Sequence, residues 1–264
     1  MPLASTSALR PARTRFTALH GLAVAADRLA ALATALALPV RAADAPEPVL
    51  ALMDGPAGAG DVEAWERPFA AWIEPDRVGG TGGGSGGATG GVPALPTHLA
   101  APLPVLVERA GASDLYINLT TATANELHLA GRVLTALAER HPLPDDRRND
   151  LELALHEAIS NALVHGNLQV DGMKELSAVE LERFSHELVA RLADPALAHR
   201  RVEVAVLLEA GTAVIDVADE GAGFTPTPQD GRGASGRGLD LIATIAESVE
   251  LCDGGRRIRM RFPL

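Results

Sequence analysis

The chain has 264 residues, which predicts one large domain or two small ones. Apolar residues make up 47% of it and aromatic residues only 3%, so aliphatic side chains must build the core. The net charge of −11 argues against nucleic-acid binding, which needs clustered Lys and Arg. The single cysteine, Cys252, excludes an internal disulfide and a metal site built on paired cysteines.

The most apolar run of the chain, residues 21–39, is interrupted by Asp27 and Arg28. Its unbroken apolar part is too short to span a bilayer. The charged pair would also fall inside the apolar core of a signal peptide. We therefore expect a cytoplasmic protein with no membrane partner.

Residues 1–80 give a weakly defined pattern. Four elements are predicted there: a helix over 16–39, a short strand at 40–43, a helix near 47–53 and a strand or helix over 62–73. This order resembles part of a receiver domain, although Asp54, before Gly-Pro, is more typical of a helix cap than of a phosphorylated aspartate. A degenerate receiver-like segment and a loosely ordered extension both remain open for this region.

Residues 81–112 are predicted to be a linker. The stretch from Thr81 to Gly91 is almost entirely Gly with Ser, Thr and Ala, a composition that cannot form the interior of a helix or strand. Leu103–Val107 is predicted as a short strand at the end of this linker.

Residues 113–264 carry a much clearer pattern of elements. The predicted order is a strand at 115–119, helices at 123–140 and 145–165, a charged helix near 177–192, strands at 202–208 and 213–217, a helix at 239–246, and strands at 248–252 and 257–262. Strands and helices are mixed, and the last strands form an antiparallel meander. The fold class predicted is therefore α+β, a two-layer sandwich with helices on one face of a mixed sheet.

The first motif is Glu157-Ala-Ile-Ser-Asn161, on the second of these helices. The two polar residues are four apart and so share one helix face. An amide oxygen suits Mg²⁺, and a carboxylate can orient or deprotonate a nucleophile. His165 and Asn167, further along, could reach phosphates or their water molecules. An ordinary exposed polar face is the alternative for this motif taken alone.

The second and third motifs are glycine turns. Asp219-Glu-Gly221-Ala-Gly223 follows a strand, and its glycines allow a close backbone approach, while the carboxylate could accept the adenine amine. Gly236-Arg237-Gly238-Leu239 precedes a helix, whose N-terminus attracts phosphate oxygens. Each turn alone could equally be a simple structural turn. The motif Gly-x4-Gly-Lys-Ser/Thr of P-loop proteins does not occur in the chain.

In this order and spacing the three motifs resemble the N, G1 and G2 boxes of the GHKL ATPases, whose fold is the two-layer Bergerat sandwich. The resemblance covers about residues 113–264 and implies ATP and Mg²⁺ as cofactors. The roles it implies are Glu157 as general base, Asn161 as Mg²⁺ ligand, Asp219 as adenine reader, Gly221 and Gly223 as walls of the base pocket, and Gly236, Arg237 and Gly238 at the phosphates. Leu239, His165 and Asn167 are predicted as further nucleotide-binding residues.

Within this superfamily the chain looks most like the bacterial anti-sigma-factor serine/threonine kinases. The resemblance lies in Glu157 to Asn167 and in Gly236 to Ile242 with the following Glu247-Ser-Val-Glu250. It implies transfer of the ATP γ-phosphate to a serine or threonine of an anti-sigma-factor antagonist of the STAS type. It also implies a homodimer, and it leaves open whether a sigma factor is bound as well.

Two departures from this family keep alternatives open. The family usually has a threonine after the last turn, near the adenine site, where this chain has Arg256. The segment 168–200 is also longer than a minimal kinase needs, and is either a docking element or a solvated helix. An ATP-sensing module without turnover is therefore an alternative function. A sensor histidine kinase is a weaker one, since no long helical hairpin around His20 is predicted.

Overall fold

The computed structural model describes residues 15–42, 45–76, 99–173, 175–224 and 237–264. Within these ranges eight strands form a single sheet. In chain order they are β1 (Ala18–Leu22), β2 (Val49–Met53), β3 (Phe69–Ile73), β4 (Leu115–Thr120), β5 (Arg201–Glu209), β6 (Thr212–Asp219), β7 (Ser248–Cys252) and β8 (Arg257–Pro263). Their spatial order is β1-β2-β3-β4-β5-β6-β8-β7.

Helices connect most of these strands. The α-helices of the described residues are α1 (Ala26–Leu36), α2 (Leu103–Gly111), α3 (Thr121–Glu126), α4 (Leu129–Ala138), α5 (Asp145–Ser160), α6 (Ala178–Leu192), α7 (Pro195–Ala198) and α8 (Arg237–Ile245). A 3₁₀ turn at Val62–Trp65 precedes β3, and a π-helical turn at Asn161–Asn167 continues α5.

The sheet changes its pairing mode at β4. The first four strands are parallel, and every pairing from β4–β5 onward is antiparallel. We call β1–β3 with α1 and α2 the N-terminal half, and β4–β8 with α3–α8 the C-terminal half. The predicted α+β class with a mixed sheet is confirmed, and the N-terminal half extends the same sheet by three strands.

Two apolar clusters lie on the two faces of the sheet. On one face α4, α5 and α8 cover side chains from strands of both halves, among them Met53, Trp72, Ile117 and Val204. On the opposite face α1 and α2 cover β1–β4, through residues such as Leu36, Leu50 and Leu106, and Ala205 of β5 packs at the margin of this cluster. The predicted arrangement with helices on one face therefore describes β6–β8, whereas β1–β4 are covered on both faces.

Several predictions for the N-terminal half are wrong. Residues 47–53, predicted as a helix, contain β2, all five of whose residues are buried. A strand buried on both faces is a continuous apolar run, which periodicity cannot distinguish from a helix. The helix predicted over 16–39 is divided into β1 and α1, and Leu103–Val107 begins α2 instead of forming a strand.

The receiver-like interpretation receives no support from the topology. Strands β1 to β4 lie side by side in chain order, whereas receiver-type sheets have the order 2-1-3-4-5. Asp54 follows β2 directly, and its carboxylate lies 2.9 Å from the Arg28 guanidinium. The glycine run at 81–91 lies outside the described residues.

The segment 168–200 forms α6 and α7 over a small apolar cluster of its own. Phe184, Leu188 and Leu192 of α6 pack against this cluster, which is built on Leu168, Val170 and Leu197. The other faces of α6 are exposed, Val179 and Val189 included. In the part of the chain that the structure describes, no helix combines the length and apolarity needed to cross a membrane.

Candidate functional site

The first motif lies where α5 changes its geometry. Glu157 is in the last turn of α5, and Asn161 begins the π-helical turn that runs to Asn167. Single π turns inside α-helices are rare and often occur at functional sites. The sequence predicted a uniform helix to His165, so this wider turn is a feature that only the structure shows.

One end of the site is formed where α8 begins against α5. A β-carbon placed on Gly238 would collide with the Glu157 carboxylate, and it would lie 3.4 Å from Nδ2 of Asn161. The start of α8 therefore lies against both polar side chains, and a side chain at position 238 would displace the Glu157 carboxylate. The structure thus brings together the carboxylate, the amide and a helix N-terminus. An N-terminus of a helix favours negative charge, which suits phosphate groups.

The other end of the site is formed where the π-helical turn meets β6. A β-carbon on Gly166 would lie 2.5 Å from Cγ of Asp219, and one on Gly221 would collide with the carbonyl of Gly166. The Asp219 carboxylate accepts a 2.7 Å hydrogen bond from the backbone N–H of Gly221. The close approach fixes the carboxylate between two segments that are more than fifty residues apart in sequence.

The turn around Gly223 packs on the last hairpin. Gly223 has φ +84°, in the region that favours glycine, and its backbone lies against the carbonyl of Gly254. Arg256 follows this hairpin turn, and its carbonyl accepts the N–H of Asp219 at 3.0 Å. The residue that departs from the family pattern is therefore bonded directly to the predicted adenine reader.

The environment of Asp219 perturbs its acidity. Burial raises the pKa of the carboxyl to about 6, against the opposing effects of the Gly221 N–H and the guanidinium groups of Arg256 and Arg200. Burial prevails because a partly desolvated carboxylate loses hydration that these partners replace incompletely. A carboxylate in this state is a strong acceptor for a ligand that brings its own N–H group.

Asn167 has a supporting role in the structure. Its side chain is fully buried, and its amide donates to Thr121 Oγ1 and to the carbonyl of Arg201, both at 2.9 Å. Its Oδ1 accepts the N–H of Glu220 at 2.8 Å. Both amide protons are therefore used inside the protein. The Asn167 side chain therefore ties the helix end to β5 and to the residue after β6, and its contact with nucleotide stays a prediction.

The remaining predicted residues are placed as follows. His165 is exposed, and its Nδ1 lies 2.7 Å from the carbonyl of Val170. Arg237 is the first residue of α8, and Leu239 is half-buried against the apolar cluster that α4, α5 and α8 cover. Gly236 lies outside the described residues.

Arg200 is a residue of the site that the sequence did not reveal. Its guanidinium donates to the Asn167 carbonyl at 2.7 Å and helps to hold the Asp219 carboxyl in its charged form. The register of the β5–β6 hairpin could have revealed Arg200, because Val202 pairs with Asp219 and the start of β5 therefore lies beside Asp219.

A comparison with protein families supports this arrangement. The model of the histidine kinase-like ATPase domain matches residues 120–262, more than half of the chain. The chain belongs to this family. A search of curated proteins returned no match. The matched segment runs from the end of β4 to β8 and contains every residue of the three motifs.

Membership makes ATP the ligand expected of this domain. We expect the nucleotide to lie in a cleft between the two ends of the site, with Asp219 and the glycines around it at one end and Glu157, Asn161 and Gly238 at the other. The individual contacts of these residues with nucleotide remain predictions. Among the described residues, acidic, cysteine and histidine side chains form no cluster of three that could hold a metal by themselves.

Proposed function

We propose that this histidine kinase-like ATPase domain is a serine/threonine protein kinase of the anti-sigma-factor type. It passes the ATP γ-phosphate to a serine or threonine of an anti-sigma-factor antagonist. The observation that carries the proposal is the close approach of Gly238, at the N-terminus of α8, to both Glu157 and Asn161. A carboxylate held there is suited to phosphoryl transfer, whereas nucleotide binding alone does not require it.

The chemistry assigned to the side chains is simple. Glu157 takes the proton of the acceptor hydroxyl, and the hydroxyl oxygen bonds to the γ-phosphorus of ATP. The bond between the γ-phosphorus and the β,γ-bridging oxygen breaks, which releases ADP. Glu157 is half-buried, so it is shielded yet accessible from the cleft. Asp219 orients the adenine by accepting its amine.

The donor set at this end of the cleft fits Mg²⁺. Asn161 offers a neutral amide oxygen, and Mg²⁺ commonly takes one or two protein oxygens with phosphate oxygens and water. Since three-residue metal clusters are missing among the described side chains, the phosphates would have to supply part of the coordination. When bound, Mg²⁺ neutralises phosphate charge.

The test is transfer of label from ATP to a purified antagonist. Glu157→Gln should abolish transfer, by about 100-fold or more, while ATP affinity changes less than about threefold. Glu152→Gln is the matched control, because Glu152 is exposed on the same helix. Equal transfer by wild type and Glu157→Gln would disprove the assigned base.

A second candidate, an ATP-sensing module without turnover, is favoured by one observation. Arg256 stands where the family usually has threonine, and it contacts Asp219 through the backbone. ATP binding without transfer to any antagonist would select this candidate. The histidine-kinase alternative is weakened because His20 lies in β1, beside the Phe69 ring, and not on a helix.

A further inference from the structure

Arg201 links the two halves of the sheet at the end of β5. The residue is only 4% exposed, although it is charged. It pairs with Thr120 of β4, and the next residue, Val202, pairs with Asp219 of β6. A guanidinium this deeply buried needs acceptors, because an uncompensated buried charge is strongly unfavourable.

The Arg201 side chain has one acceptor in β4, Oδ1 of Asn118 at 3.5 Å, and its other acceptors come from the N-terminal half. The guanidinium donates to the carbonyl of Glu74 and to the carboxylate of Asp76, both directly after β3. The Glu74 carboxylate in turn accepts the N–H and the hydroxyl of Thr120, each at 2.9 Å. The segment after β3 is therefore hydrogen-bonded to the last residue of β4 and to the first residue of β5.

The backbone of Arg201 is hydrogen-bonded to residues next to the predicted adenine reader, Asp219. Its N–H donates to the Glu220 carboxylate at 2.8 Å, and its carbonyl accepts the Asn167 amide at 2.9 Å. Asn167 also accepts the N–H of Glu220 at 2.8 Å, so Arg201, Asn167 and Glu220 are all bonded to one another. One residue thus joins Asp76 on one side to the segment 219–221 on the other.

We propose that Arg201 is a positioning residue through which the N-terminal half sets the geometry of the base pocket. It acts through Glu220 and Asn167, which fix the backbone that carries Asp219. The effect on ATP rests on the proposed nucleotide-binding role of this cleft, whereas the effect on the pocket backbone does not.

The first experiment measures hydrogen exchange in the nucleotide-free protein. Asp76→Asn removes the charge, and Arg201→Lys removes the two-pronged donor geometry. Both should speed exchange of the amides at residues 219–221 by roughly five- to tenfold. Exchange in α5 and β2 should stay unchanged. Glu209→Gln is the matched control, because Glu209 pairs with Arg261 at the opposite end of β5.

The second experiment measures affinity by calorimetry. Asp76→Asn should weaken ATP and ADP by the same factor, roughly 5- to 20-fold, since the defect lies at the base and not at the γ-phosphate. Asp76→Glu should restore part of the affinity.

Unchanged exchange at 219–221 in both variants would overturn the inference, whether or not the protein binds ATP. Loss of structure throughout the sheet would also overturn it, because a positioning role predicts a local change. Failure of the wild type to bind ATP, with the local exchange effect intact, would instead count against the proposed function alone.

Discussion

The strands of the two halves of the sheet are buried in different ways. In the N-terminal half, β2 and β3 are buried along their whole length, because helices and loops cover both faces. In the C-terminal half, residues of β8 alternate between buried and more exposed positions, and its arginines pair with acids on the face that α1 and α2 leave open. Burial on two faces or on one therefore separates β2–β4 from β8.

This contrast between the halves matters for the site. All motif residues lie in the C-terminal half, yet the backbone beside Asp219 is bonded through Arg201 to the N-terminal half. The recognisable part of the chain is therefore not the whole of what holds the pocket together. Four substitutions test this view, and the first of them should have the greatest effect.

Trp72→Ala in β3 tests whether the halves form one cooperative unit. The Trp72 ring is fully buried, stacks on Trp65 at 4.7 Å, and donates to the Ala64 carbonyl at 2.7 Å. Its truncation should cost about 3–5 kcal/mol of unfolding free energy. Thermal unfolding followed by circular dichroism should show one transition at lower temperature. Leu176→Ala, at a position 85% exposed, is the control. Two separated transitions would contradict a single sheet unit.

Asp219→Asn tests the base end of the cleft. Losing a charged acceptor should weaken ATP by about 100-fold in calorimetry. Burial raises the pKa of Asp219 to about 6 in the folded protein, above its ordinary value of 3.8 in the unfolded chain. Ionisation of Asp219 therefore lowers the free energy of unfolding above about pH 6, and this loss disappears below about pH 4. The nucleotide-free variant should therefore be more stable than wild type at pH 8 and equal to it near pH 4. Unaltered ATP affinity would remove Asp219 from the site.

Gly166→Ala tests the close approach of the π-helical turn to β6. The new β-carbon would meet the Asp219 carboxylate, so we expect a loss of about 1–3 kcal/mol in stability and about tenfold weaker ATP binding. Gly131→Ala is the matched control, because a β-carbon on this helical glycine meets nothing within 4 Å. The control should gain up to about 1 kcal/mol from helix propensity. Similar behaviour of the two variants would refute the tight contact.

Arg256→Thr tests the departure from the family pattern. Removing the guanidinium should raise the pKa of Asp219 further, since its positive charge opposes the effect of burial. The pH at which ATP binding falls by half should move upward, by less than about one unit. Arg259→Thr is the control, because Arg259 pairs with Asp216 on the open face. The ionisation of ATP itself is the same in the experiments with wild type and with Arg256→Thr, so it cannot shift the midpoint. The same pH midpoint in both proteins would exclude an electrostatic role for Arg256.

The accuracy of the sequence predictions followed the pattern of burial. Alternation in β5, β6 and β8 predicted these strands closely, and the spacing of Glu157 and Asn161 correctly placed both on one continuous helical segment. The continuous apolar run of β2 was predicted as a helix, because only packing against both neighbouring layers decides its form. The π-helical turn had no signal in the residues either.

The linear order of residues was enough to indicate the chemistry: a carboxylate, an amide and an acidic glycine turn at spacings that match a known ATPase family. Such motifs are local, so a linear pattern can specify them. The folded chain was needed to show that the Asn167 side chain is bonded inside the protein and that Arg200 holds its carbonyl. It was also needed to show that Arg201 joins the segment after β3 to Glu220 after β6. These bonds join residues far apart in the chain, and a buried polar group takes the partner that the completed fold supplies.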